Sequence, residues 1–156
     1  MPPAIKVARA FQAIFLAIFM IAVSAHPSRA TAQKACEKPV FLTFDTGHMG
    51  VAPLIAEVLE RQHVKVTYFA ANERTQQGDG TLGQHWATWW KARADEGHEF
   101  ASHTYDHVYW RADLPGATFR VRPSAGALAG QDLNWSAVDY CAQLNQAHAR
   151  LQQLTG

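Results

Sequence analysis

Val40-Phe41-Leu42-Thr43-Phe44-Asp45-Thr46-Gly47-His48 is the stretch whose reading decides the fold. An apolar run of strand-forming residues stops at a carboxylate and a turn-forming glycine, as a buried strand does when it delivers one polar side chain to a rim. The pattern recurs downstream, where Glu99-Phe100-Ala101-Ser102 runs into His103-Thr104-Tyr105-Asp106-His107. In parallel α/β sheets reactive groups collect at the carboxyl ends of strands, which is where both clusters fall. One carboxylate and two imidazoles in such places point to a metal-assisted hydrolase.

Between the two clusters the chain alternates helix and strand. Val51, Leu54, Ile55, Val58 and Leu59 follow a helical period and predict one buried stripe. Residues 64 to 70 are rich in β-branched and aromatic side chains and predict a second strand. Strand, helix, strand in that order is the parallel crossover unit. Gln76-Gln77-Gly78-Asp79-Gly80 breaks the chain before a second helix carrying Leu82, Trp86, Trp89 and Trp90, whose spacing reads as core packing, and Gly97 ends it. Residues 108 to 134 show no clear period and contain Pro115, Gly116, Pro123, Gly126 and Gly130, so they read as a long irregular insertion. Its Tyr109, Trp110, Arg120 and Arg122 are suited either to holding a sugar ring or an anionic polymer, or to packing against the body. Ser136 and Asp139 form a capping-box pattern, opening a final helix with Val138, Cys141, Leu144, His148 and Leu151 along it.

Residues 1 to 32 read as an export signal. Lys6 and Arg9 precede an apolar run from Phe11 to Val23, and Ala30-Thr31-Ala32 supplies a small-x-small cleavage site, with Val23-Ser24-Ala25 as the earlier option. The run is shorter than the roughly 20 apolar residues of a membrane span, so no stable membrane insertion is expected once the signal is cleaved. An uncleaved anchor is the alternative. The remainder, residues 33 to 156, is the length of one small domain but well short of the about 250 residues of a complete eight-stranded barrel. A formal charge of +1 without any Lys/Arg cluster argues against nucleic acid as a partner. The two cysteines, Cys36 and Cys141, either pair in the oxidising space outside the cytoplasm or stay as two thiols.

His103 and His107, four residues apart, would share one face of a helical turn and so reach one ion. Zinc held by imidazoles activates water near neutral pH, and a neighbouring carboxylate can take the proton during attack on a carbonyl. Each half of this set is common by itself: His-x-x-x-His arises by chance in a chain with eight histidines, and Asp before Gly is ordinary turn chemistry. Their weight comes from falling at two strand ends of one parallel unit. The other histidines read as surface or satisfied core groups, with His48 open as a further ligand.

Thr43-Phe44-Asp45-Thr46-Gly47 and His103-Thr104-Tyr105-Asp106-His107 resemble the first and second motifs of the polysaccharide deacetylases, the NodB-homology group or carbohydrate esterase family four. Val66-Thr67-Tyr68-Phe69 and Gly97-His98-Glu99-Phe100 resemble the flanking strand and the approach to the histidines, so the likeness spans roughly residues 38 to 107. The resemblance implies the N-terminal portion of a distorted (β/α) barrel, incomplete in this chain, with Asp45 as catalytic base and His103 and His107 as ligands of a divalent metal, zinc first. It implies an acetylated polysaccharide or peptidoglycan as substrate; the export signal implies a periplasmic or secreted location, and Tyr109 and Trp110 of the insertion are the candidate substrate contacts. The sequence departs from the family pattern in two places. Thr46 stands where the family usually has a second aspartate as third ligand, which makes Thr46 and His48 the further ligand candidates. The family's later motifs find no match before Gly156, and Arg122-Pro123 lies too close to the second motif to be one of them. Residues 33–156 are therefore expected to be a partial deacetylase domain, with 108–134 inserted. Two other readings stand beside the enzyme: an inactive deacetylase-like module that binds glycan, and an envelope protein held by its signal helix.

Overall fold

The computed structural model describes residues 38–156; the expected signal segment and Cys36 lie outside them. Three parallel strands, β1 (Thr43–Asp45), β2 (Thr67–Ala70) and β3 (Glu99–Ser102), form one sheet in the order β1-β2-β3. Helix α1 (Ala52–Gln62) connects the first pair and α2 (Ala87–Asp95), entered through a short 3₁₀ turn, the second. The α/β architecture and the parallel crossovers are those expected from the alternation in the sequence.

In the middle of the sheet Phe44, Tyr68 and Phe100 stand in register across the three strands, each neighbouring pair of rings stacked at 6.1 Å between centroids. Trp89 and Trp90 of α2 meet Tyr68 edge-on at 5.6 and 5.9 Å, the offset geometry that aromatic quadrupoles favour. Trp90 is fully buried and donates its indole N–H to the Thr81 carbonyl at 2.8 Å. Burial pushes the Tyr68 phenol up to about 12, so it stays neutral in the core. The tryptophan helix is thus core, as its spacing predicts.

The face that α1 buries differs from the expected stripe. Ala52, Ala56 and Leu59 are buried and Ile55 packs on the core, while Val51, Leu54 and Val58 face outward, Leu54 at 59% exposure. Because β1 is an edge strand, nothing in the described residues covers the other side of α1. Val40 and Phe41, which lead into β1, are likewise exposed.

A second correction concerns residues 108 to 134, which are ordered rather than irregular. β4 (Val108–Leu114), β5 (Thr118–Pro123) and β6 (Leu133–Ser136) make an antiparallel sheet in that order, with Arg111 bulged out of the β4–β5 ladder. Its alternation is hard to see because Tyr109 and Trp110 are both exposed, and only Val121 and Pro123 of β5 are buried. Trp110 packs on Phe119 and on Tyr140. The last helix, α3 (Ala137–Thr155), opens on the anticipated capping box: Asp139 N–H donates to Ser136 Oγ, and Ser136 N–H to the Asp139 carboxylate at 2.8 Å. Leu151 and Leu154 of α3 join the core cluster, and Cys141 is exposed. No described helix is long and apolar enough to cross a membrane.

Candidate active site

Backbone ladders set the site at the carboxyl ends of the parallel strands. Thr46 N–H donates to the Phe69 carbonyl and His103 N–H to the Ala70 carbonyl, both at 2.9 Å, so the pairing continues one residue past β1 and β3. Asp45 ends β1 with its carboxylate largely exposed at the rim, and its Oδ2 lies 3.8 Å from His103 Nε2.

His103 and His107 do come together, with ring centroids 4.7 Å apart, but not through a helical turn. The chain from 103 to 107 is a tight turn in which Thr104 and His107 take left-handed conformations, at φ 61° and 50°. Such backbone is strained for side chains of this kind and needs outside support. Buried Thr104 accepts the Val108 N–H at 2.7 Å through its hydroxyl. Gln143 of α3 accepts the Asp106 N–H and donates to the Asp106 carboxylate, at 2.7 and 2.9 Å. The His107 carbonyl accepts the Ser124 N–H at 3.1 Å, and Ser124 Oγ stands 2.7 Å from His107 Nδ1. Gly126 has to be glycine, because at φ 73° a Cβ there would lie 2.3 Å from an Asp106 oxygen. The second sheet and α3 thus brace the histidine turn.

Thr46 and His48 each accept a backbone N–H. The Thr46 hydroxyl accepts the Ala71 N–H at 2.9 Å, and His48 Nδ1 accepts the N–H of Gly50 at 3.0 Å. Tyr109 reaches the site, its ring 5.0 Å from that of His107 with the Arg111 guanidinium over it. Trp110 is held away, packed on its own sheet and donating to Asp113.

One residue that sequence reasoning passed over stands among these groups. Glu73, three residues beyond the end of β2, places Oε1 3.0 Å from His107 Nδ1, while its Oε2 is buried without a hydrogen-bond partner. Burial raises the Glu73 carboxyl above its ordinary value, opposed by His103 and reinforced by Asp45. Burial also lowers the His107 imidazole, with Asp45 acting the other way. For both groups loss of water outweighs the neighbouring charges. Two imidazoles beside carboxylates, one with an unsatisfied buried oxygen, are the donor types that suit zinc. As the side chains stand, each imidazole faces its own carboxylate, and among the described residues no three His, Cys, Asp or Glu side chains converge to enclose an ion.

A carboxylate and two histidines thus stand together at the carboxyl rim of a parallel α/β sheet. The polysaccharide deacetylase family matches residues 32–156, most of the chain, and the protein belongs to that family. Among curated relatives, the peptidoglycan-N-acetylglucosamine deacetylase PgdA of Listeria monocytogenes is 34% identical over 71 residues, 45% of this chain. That match spans 14% of PgdA. Bacillus subtilis PdaA, a family 4 carbohydrate esterase of known structure, aligns over 74% of this chain and 37% of its own, at 21% identity and a TM-score of 0.47.

Proposed function

We propose that the chain acts as an exported, metal-dependent deacetylase that hydrolyses N- or O-acetyl groups on a glycan such as peptidoglycan, in the periplasm or outside the cell. The observation that carries this reading is the meeting of Asp45 with the His103/His107 pair at the rim of the parallel sheet, in a chain of this family. His103 and His107 would hold the ion, zinc by the preference of imidazole donors. When bound, such an ion supplies Lewis acidity toward the acetyl carbonyl and the attacking water. Asp45, exposed at the rim, is placed to accept the proton that this water loses. Tyr109, half-exposed beside His107 with Arg111 over its ring, is placed to contact a sugar at the rim. A cleft of about 200 Å³ lined by His103, His107, Tyr109 and Tyr140 gives a sugar ring room beside both imidazoles.

The test is Asp45→Asn, with acetate release from an acetylated oligosaccharide and zinc content measured side by side. Acetate release is expected to vanish with zinc retained, because the base moves a proton and is not needed to hold the ion. Wild-type turnover in the variant would refute the role. A second reading, a glycan-binding module without turnover, is favoured by the engagement of Thr46 with backbone in place of a third ligand. It calls for glycan binding with no acetate release by the unsubstituted chain.

A further inference from the structure

We infer that Glu73 is the carboxylate ligand of the metal site, standing in from the end of β2 for the aspartate that Thr46 replaces at the end of β1. This rests on the metal-dependent reading above and goes beyond it in naming the anionic donor.

Place is the first argument. β2 lies between β1 and β3, so a residue just past its carboxyl end sits between Asp45 and His103. Glu73 Oε2 points toward the Asp45 turn, and a Cβ built on Gly47 would lie 4.0 Å from it. Its other oxygen contacts His107 at 3.0 Å. One carboxylate therefore spans from the first motif to the second.

Satisfaction is the second. A carboxylate kept only to pair with an imidazole has acceptor capacity left over, and a folded protein normally fills it with donors. Here Oε2 is out of water and no donor meets it in hydrogen-bond geometry, the Thr46 hydroxyl nearby only lowering the carboxyl slightly against burial, an arrangement that a cation would satisfy. The Thr46 hydroxyl, which accepts the Ala71 N–H at 2.9 Å, is neutral and brings no anionic oxygen in the aspartate's place.

Fixation is the third. The Glu73 carbonyl accepts the Thr81 N–H at 2.9 Å and lies 3.3 Å from the Thr81 hydroxyl, and Thr81 is fully buried. His103 is held by the β2–β3 ladder and His107 by Ser124. Backbone contacts thus fix where the three side chains start, and two imidazoles plus one carboxylate form a donor set that zinc enzymes use.

The experiment is chelator competition for zinc on the full chain, with Glu73→Gln, Thr46→Asp, the double variant and His103→Ala. Glu73→Gln is expected to weaken zinc by about 1,000-fold, beyond the roughly 10 to 100-fold that losing a merely orienting partner costs. Adding Thr46→Asp to it should restore affinity to within about tenfold, since a carboxylate returns from the adjacent strand end. Thr46→Asp alone reads out the same idea without disturbing Glu73. With a carboxylate ligand already present, its affinity should shift by less than about tenfold, and tightening of about 100-fold or more would show that the site had none. A loss in Glu73→Gln smaller than about 100-fold, or one that Thr46→Asp does not restore, also overturns the inference. Wild-type zinc affinity in His103→Ala would instead sink the underlying metal site.

Discussion

Thr81→Val tests how the core holds the site in place. Thr81 is fully buried, and its hydroxyl donates to the Gly47 carbonyl at 2.9 Å, fastening the turn that follows Asp45. Its own carbonyl is held by the Trp90 indole at 2.8 Å, so the anchor is tied into the aromatic core from the other side. Valine has nearly the same shape and leaves no cavity, but it strands the Gly47 carbonyl. Losing that hydrogen bond, with its acceptor left unsatisfied, costs about 1 to 3 kcal/mol. The added buried methyl offsets this by up to about 0.8 kcal/mol, for a net destabilisation of about 0.2 to 2 kcal/mol. In a domain of this size that lowers Tm by about 1 to 10 °C. Thr81→Ser is the control, keeping the hydroxyl while deleting a methyl worth about 0.8 kcal/mol. Both variants should melt earlier, but only valine should release the Asp45 turn and lower acetate release. Thermal melts by circular dichroism, with acetate release measured on the same samples, decide it. A valine variant with the wild-type Tm and the wild-type rate would refute the claim that Thr81 anchors the turn.

Three further outcomes are expected. Buried His98 accepts the Val66 N–H on Nδ1 at 3.2 Å, and burial, with Lys65 adding, holds its imidazole below its ordinary value of 6.5. The unfolded chain therefore takes up this proton first on acidification, so the contribution is whole above about pH 6.5 and is lost as pH falls through the folded value. Urea midpoints at pH 7.5 and 5.5 should fall toward acid in wild type and fall less in His98→Gln, and equal pH slopes would count against it. Ser136→Ala removes the α3 cap and should cost about 1 kcal/mol by urea denaturation, with no change expected in zinc affinity. The exposed Val40, Phe41, Val51 and Leu54 should make residues 33–156 self-associate or bind a hydrophobic dye, which light scattering and dye fluorescence will show. A dye-silent monomer would mean that these side chains are tolerated singly at the surface.

Much of the fold was readable because its first half obeys simple periods. Parallel strands buried by helices read as short apolar runs, and β1 to β3 fell where those runs predict, with Asp45 and His103 at their ends. The α3 cap was equally plain from Ser136 and Asp139. What the sequence hid depends on neighbours. Which side of α1 is buried follows from β1 being the sheet edge, and no period in residues 51 to 59 records that. The strands of the second sheet lack an alternating signature because Tyr109 and Trp110, adjacent in sequence, are both exposed. The histidine spacing suggested a helix, whereas the rings meet through a turn whose left-handed residues are supported by the Thr104 hydroxyl within it and by Ser124 and Gln143 from distant positions.

Glu73 is a different case, since the rule that singled out Asp45 and His103 applies to it as well. Each of the three parallel strands runs a residue or more past its last ladder position before turning, and side chains on those overhangs share one rim. For β1 and β3 the overhang carries an evident motif. For β2 it reads Ala71-Asn72-Glu73-Arg74, which passes for a solvated turn. Asn72 and Glu73 are both engaged instead. Asn72 Nδ2 donates to the Tyr105 hydroxyl at 3.1 Å, its Oδ1 accepts the Leu82 N–H at 3.0 Å, and its own N–H donates to the Tyr105 carbonyl at 2.7 Å. Those bonds tie the β2 overhang to the histidine turn and hold the neighbouring Glu73 against His107. A missing carboxylate at Thr46 is then a reason to read the end of the adjacent strand, because neighbouring parallel strands lie only about 4.8 Å apart and a longer glutamate side chain can cover that offset.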